Sequence, residues 1–144
     1  MIAAATRELW EETGLLLGRT DARAAAMEAP RGWRGYLATG FLPDGAALDF
    51  IFRAITPPGR SRRFDARFLL ADARSLASDP DDFTRAEDEL SHLQWVPLDK
   101  ARAFDMPFIT EVVLAELAAR LNGTAHKGVP FFNNAGEISR FERL

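Results

Sequence analysis

The spacing of apolar and polar residues predicts a helix at the start of the chain, over Ile2–Thr13. At about 100° per residue, Glu8, Glu11 and Glu12 stand at i, i+3 and i+4, inside an arc of roughly 100°. Ile2, Thr6, Leu9 and Thr13 take the opposite side. One face is therefore a carboxylate cluster and the other a packing face. Gly14 suits the left-handed residue that closes a helix. Met1 directly precedes the helix, so none of the usual capping residues stands there.

Further along, Leu15, Leu16 and Leu17 form a short apolar run leading into a strand. Residues 19–27 are alanine-rich and predict a short helix, and residues 28–32 a loop. Trp33, Tyr36, Leu37 and Phe41 recur near helical spacing, with Gly40 near the end, and Pro43, Asp44 and Gly45 mark a turn. Residues 48–55 and 63–71 read as two strands rich in aromatic and β-branched residues, broken by Thr56-Pro57-Pro58-Gly59. They predict an antiparallel pair joined by a loop of several residues. Phe50, Phe52, Phe64 and Phe68 alternate, as residues packing a sheet do.

Residues 79–82 form a polar loop, and residues 93–98 predict another short strand. Asp105 is the expected cap of a helix with Pro107 in its first turn. Ile109, Val112, Val113, Leu114, Leu117 and Leu121 supply its core stripe, and Asn122-Gly123 ends it. Residues 129–144, with a turn at Asn133 to Gly136, predict a terminal hairpin.

Composition narrows the function. At 144 residues the length prior is one domain, and 47% hydrophobic with 27% charged residues is ordinary for a globular chain. A net charge of -3 gives no basic footprint, so no nucleic-acid partner is expected. With no cysteine, disulfides, zinc–thiolate sites and thiol catalysis are excluded. His92 and His126 stand alone and read as structural or surface residues. No apolar run reaches the roughly 20 residues of a membrane span and no signal peptide is evident, so no membrane is expected and the simplest location is cytoplasmic.

The acidic helix face is the strongest chemical feature. Three like charges at i, i+3 and i+4 repel one another. Arg7 relieves part of that through Glu11, four residues on. A hard divalent cation would relieve more, because Mg²⁺ and Mn²⁺ take oxygen ligands. A solvated acidic face is the alternative on spacing alone.

Arg7-Glu8-Leu9-Trp10-Glu11-Glu12-Thr13-Gly14-Leu15 resembles the second half of the Nudix box, G-x5-E-x7-R-E-U-x-E-E-x-G-U, with U a bulky aliphatic residue. Arg7, Glu8, Leu9, Glu11, Glu12, Gly14 and Leu15 fit every fixed position of that half. The opening glycine and the first glutamate of the pattern would lie upstream of Met1. Trp95 to Ala101 also resembles the Nudix segment where the last core strand hands over to a helix.

The resemblance implies an α/β fold, a Nudix-like α/β/α sandwich with a mixed sheet, here expected to lack its N-terminal strands and so to be truncated. It implies a metal-dependent pyrophosphohydrolase using Mg²⁺ or Mn²⁺. The expected partner is a small-molecule nucleoside diphosphate derivative, whose identity stays open. Carried over by position, Glu11 and Glu12 are metal ligands, and Glu8 is a ligand or the general base. Arg7 orients a glutamate. A further acidic ligand would come from Glu87 or Glu89, which otherwise read as an exposed acidic loop. Arg62, Arg63 and Arg67 are candidates for substrate phosphates, with surface arginines beside a turn as the plainer reading.

The alternative reading is a catalytically inactive Nudix-derived binding module or gene fragment, and the short chain is expected to have weak activity or none. Open sheet edges would allow pairing with another chain, a homodimer included. A third reading is an unrelated helical protein with an acidic face.

Overall fold

The computed structural model describes residues 1–86, 90 and 92–144. It is a mixed α/β structure whose elements fall into two compact units. The first contains Met1–Leu48 with Ala71–Trp95, and the second Asp49–Leu70 with Val96–Leu144. Among the described residues no helix is long and apolar enough to cross a membrane.

The first unit is built on helices α1 (Ile2–Thr13) and α2 (Arg31–Ala38) and on a two-stranded antiparallel ribbon of β1 (Arg19–Thr20) and β2 (Phe41–Leu42). α1 has the expected bounds and no side-chain cap at its start. It ends where Gly14, at φ 74°, turns left-handed and donates its N–H to the Trp10 carbonyl at 2.8 Å. Of the expected packing face, Thr6 is fully buried but Ile2 remains 43% exposed.

Leu15, Leu16 and Leu17 are the most buried run of the unit, although they form no strand themselves. Their backbone is satisfied instead by loops. Leu16 donates to Ser78 Oγ at 3.0 Å and accepts from the Ala77 N–H at 2.7 Å, while Leu17 accepts from the Tyr36 hydroxyl at 2.6 Å. Tyr36 is fully buried among Leu16, Ala24 and Leu37, with the rings of Trp10 and Trp33 set edge-on to it at 6.3 and 5.7 Å. The helix expected over residues 19–27 is absent. β1 takes its first residues and only Ala24–Ala26 turn, as a 3₁₀ segment, because Thr20 pairs with Phe41 across the ribbon.

The second unit carries a mixed four-stranded sheet. Its strands are β3 (Leu48–Ile55), β4 (Asp65–Ala71), β5 (Pro130–Asn133) and β6 (Arg140–Arg143), in the order β4-β3-β5-β6. β5 and β6 form the expected antiparallel terminal hairpin, Phe132 opposite Phe141. β3 and β5 run parallel, Arg53 opposite Phe131. A parallel pair needs a long crossover, and the chain between them contains α3 (Phe108–Leu121). From α3, Val113 is buried with Ile51, Phe52 and Ala54 of β3, while Ile109 and Val112 pack against that cluster. Ile51 and Phe52 point to opposite faces and both are buried, so the centre of β3 is covered on both sides.

The structure departs from the sequence pattern at four further places. Residues 93–97 form no strand: Trp95 is 54% exposed with its indole N–H bonded to the Pro80 carbonyl at 2.9 Å, and Pro97 leads straight into a 3₁₀ segment, Leu98–Ala103. Asp105 does not cap α3; Pro107 occupies the cap position, with no side-chain hydrogen bond. Leu121, the last residue of α3, is 70% exposed and so lies outside the buried stripe. Phe64 precedes β4 rather than lying within it and is 63% exposed, so it does not pack the sheet.

Candidate functional site

α1 presents its acidic face in its C-terminal half. Glu11 and Glu12 occupy the last turn, which carries no basic residue. That placement is costly twice over. Carboxylates repel at these spacings, and the last turn is the negative end of the helix dipole. Glu8 is well exposed, with 59% of its side chain open to solvent, whereas the Glu11 side chain is only 23% exposed. Glu12 is half-buried and has an interaction partner within the chain.

Arg7 is the cation of the site. Its guanidinium reaches Glu11 Oε2 at 3.6 Å and Glu8 Oε1 at 3.7 Å. Both are ion pairs longer than a hydrogen bond, and the buried Arg7 Nε has no hydrogen-bond partner. What fixes the guanidinium is packing. Its carbon stands 5.8 Å from the centre of the Trp33 ring, within cation–π range.

Helix α2 is shaped for this contact. A Cβ on Gly32 would lie 2.8 Å from Arg7 Nη1, and one on Gly35 would lie 2.6 Å from Trp10 Cη2. Both glycines let α2 approach α1 closely enough for Trp33 and Tyr36 to meet Arg7 and Trp10. The seat for Arg7 was not anticipated from the sequence. The available signal was the run Gly32-Trp33-Arg34-Gly35, a helix with glycines on either side of a tryptophan.

The donor types of the acidic face suit a hard divalent cation. They are not preassembled as a cage. Among the described residues no group of three or more His, Cys, Asp or Glu is close enough to hold a metal ion. Glu8 and Glu11 are instead both engaged by Arg7. Glu87 and Glu89 lie outside the described residues.

The candidate phosphate-binding arginines belong to the second unit, in and after the loop between β3 and β4. Arg67 is paired with Asp65 at 3.0 Å. Arg63 donates to the carbonyl oxygens of Thr56, Asn134 and Ala135 at 3.0, 3.4 and 3.4 Å. Arg62 is exposed. Asp65 is also gripped by Arg53 through two bonds of 2.8 Å, and Arg53 lies 4.4 Å from the Phe131 ring centre. The Arg53 guanidinium holds the Asp65 carboxyl below its ordinary range. This Arg53–Asp65–Arg67 group ties β3, β4 and β5 together. It engages Arg67 structurally.

A scan against family models finds no match, and searches of curated proteins and of solved structures return none either.

Proposed function

We propose that the chain is a Nudix-type hydrolase that cleaves the pyrophosphate of a nucleoside diphosphate linked to another group. The observation that carries this reading is local. The residues matching the second half of the Nudix box form a helix that stops at a left-handed Gly14, with Leu15 buried directly after it. The three carboxylates repel one another on the free helix, and Glu11 and Glu12 in its last turn also oppose its dipole. A cost of that kind is expected where a cation or a charged substrate repays it on binding. A Nudix-like α/β/α sandwich is the fold that accompanies this reading, and the mixed sheet with its helical crossover supports it.

A bound Mg²⁺ or Mn²⁺ would neutralise the pyrophosphate and lower the pKa of an attacking water. Glu11 and Glu12 are its proposed ligands, with Glu8 as ligand or general base and Glu89 as a further ligand. Arg7 holds Glu11 in place from its seat on Trp33. Of the three arginines considered for substrate phosphates, Arg63 and Arg67 already bind protein groups and Arg62 is exposed. A small-molecule substrate, a cytoplasmic location and pairing of two copies along a sheet edge complete the reading.

The second reading, an inactive Nudix-derived binding module, is favoured by one observation: the Arg7 guanidinium stands where a cation would neutralise Glu8 and Glu11. Incubation with a panel of sugar nucleotides, ADP-ribose, dinucleotides and coenzyme A separates the two. Release of a nucleoside monophosphate, or of adenosine 3′,5′-bisphosphate from coenzyme A, that requires Mg²⁺ or Mn²⁺ supports the hydrolase. Absence of metal-dependent turnover on every member contradicts it and leaves the binding module.

A further inference from the structure

The second unit contains a cleft of about 570 Å³ that no part of the proposed hydrolysis uses. Small-molecule sites typically span about 300–1,000 Å³. Four phenylalanines line it: Phe64, Phe68, Phe108 and Phe132. Phe68 and Phe132 pack on the core. Phe64 and Phe108 are instead 63% and 69% exposed. Two large apolar rings left in water on one concavity mark a binding surface more than scattered exposure does.

The rim is held in place. The Phe64 N–H donates to Thr56 Oγ1 at 3.0 Å, and the Thr56 N–H donates back to the Phe64 carbonyl at 2.9 Å. Asn134, only 4% exposed, donates to the Ile55 carbonyl at 3.0 Å. Arg63 clasps the same loop to the carbonyls of Asn134 and Ala135. The cleft is thus preformed.

Its lining has one charged residue, Arg60. Among the described residues Arg60 takes part in no hydrogen bond or ion pair, whereas Arg53, Arg63 and Arg67 beside it all do. An uncompensated guanidinium at the mouth of an aromatic cleft complements an anion.

We propose that this cleft binds a small planar aromatic molecule carrying one anionic group, the ring against Phe64 and Phe108 and the anion on Arg60. Aromatic rings pack edge-on or offset against such side chains, and the guanidinium forms charge-assisted bonds to carboxylate, sulfonate or phosphate oxygens. The proposal is independent of the chemistry of α1.

The test uses naphthalene-2-sulfonate, its neutral counterpart 2-naphthalenemethanol and hexanesulfonate, followed by methyl NMR. The arene sulfonate is expected to shift the methyls of Ala54, Ala66 and Ile109 and to bind about tenfold more tightly than the neutral arene. Arg60→Gln should remove that advantage while leaving affinity for the neutral arene unchanged. Phe108→Ala should weaken both arenes. Both side chains are exposed, and an unchanged circular dichroism spectrum verifies that each variant is folded. Equal affinity for the two arenes in the unmodified chain overturns the anion site. Hexanesulfonate binding as tightly as the arene overturns the aromatic site. Shifts confined to other methyls, or self-association through the cleft, overturn the location.

Discussion

The guanidinium of Arg7 stands 5.8 Å over the ring of Trp33, joining the acidic helix α1 to the aromatic helix α2. Trp33 in turn meets Tyr36 edge-on, and Tyr36 bonds to Leu17 just past the end of α1. The acidic face is therefore supported from behind by a chain of rings rather than by hydrogen bonds to Arg7.

Gly32→Ala tests that support. The added methyl would lie 2.8 Å from Arg7 Nη1, the mobile tip of a long side chain, so the arginine yields rather than the backbone. Alanine also favours a helix over glycine by about 1 kcal/mol. The expected outcome is an unchanged or slightly higher Tm together with a metal-dependent turnover reduced about tenfold, as for other residues that orient a ligand. Thermal melts and initial rates read the two effects separately. A loss of Tm with no change in rate would place the contact in folding alone.

Tyr36 is the single tyrosine of the chain, so tyrosinate absorbance reports it alone. Burial pushes its phenol above the ordinary 10.0. The unfolded chain then releases this proton before the folded one as pH rises. Stability from this group is complete below 10.0 and falls as alkali approaches the folded value. The native titration should have its midpoint above that of the guanidinium-unfolded chain. Tyr36→Phe leaves the Leu17 carbonyl unpaired and should cost about 1–2 kcal/mol, read from urea unfolding. Coincident native and unfolded titrations would contradict this.

The Arg53–Asp65 pair has the opposite pH sense. The Asp65 carboxyl is held below its ordinary 3.8, so the unfolded chain takes up the proton first as pH falls. Its contribution is complete above 3.8 and disappears as acid approaches the lower folded value. Asp65→Asn should lower the urea midpoint near neutral pH, and the difference from the unmodified chain should shrink in strong acid. A difference that is constant with pH would mean that shape, not charge, holds β3 to β4.

Gly14→Ala probes the end of α1. The left-handed conformation penalises a side chain by about 1–2 kcal/mol, and the new Cβ would lie 3.1 Å from Ala86 N and Arg85 Cβ. Equilibrium unfolding should show a loss of at least that size.

These contacts also show what the sequence made legible. α1, β3, the terminal hairpin and the left-handed Gly14 were readable because each rests on local signals: periodicity, aromatic runs and turn residues. Residues 93–97 misled because Trp95 and Val96 carry strand propensity but find no partner strand, a tertiary matter. The 3₁₀ turn in place of a helix at Ala24–Ala26 has the same origin, since the ribbon with β2 claims Arg19 and Thr20. For the candidate site, the shared helix face of Glu8, Glu11 and Glu12 and the Arg7–Glu11 spacing were visible in the sequence. The Trp33 seat and the Arg53–Asp65 pair were not, because each joins residues on different elements, 12 or more apart in sequence.

The central claim is that the acidic face of α1 binds a divalent cation, and Mn²⁺ titration followed by electron paramagnetic resonance tests it most directly. The free Mn²⁺ signal should be quenched stoichiometrically by the unmodified chain and restored in the double variant Glu11→Gln, Glu12→Gln, with circular dichroism unchanged. Equal quenching by both chains, or none by either at millimolar Mn²⁺, would contradict the assignment of these carboxylates.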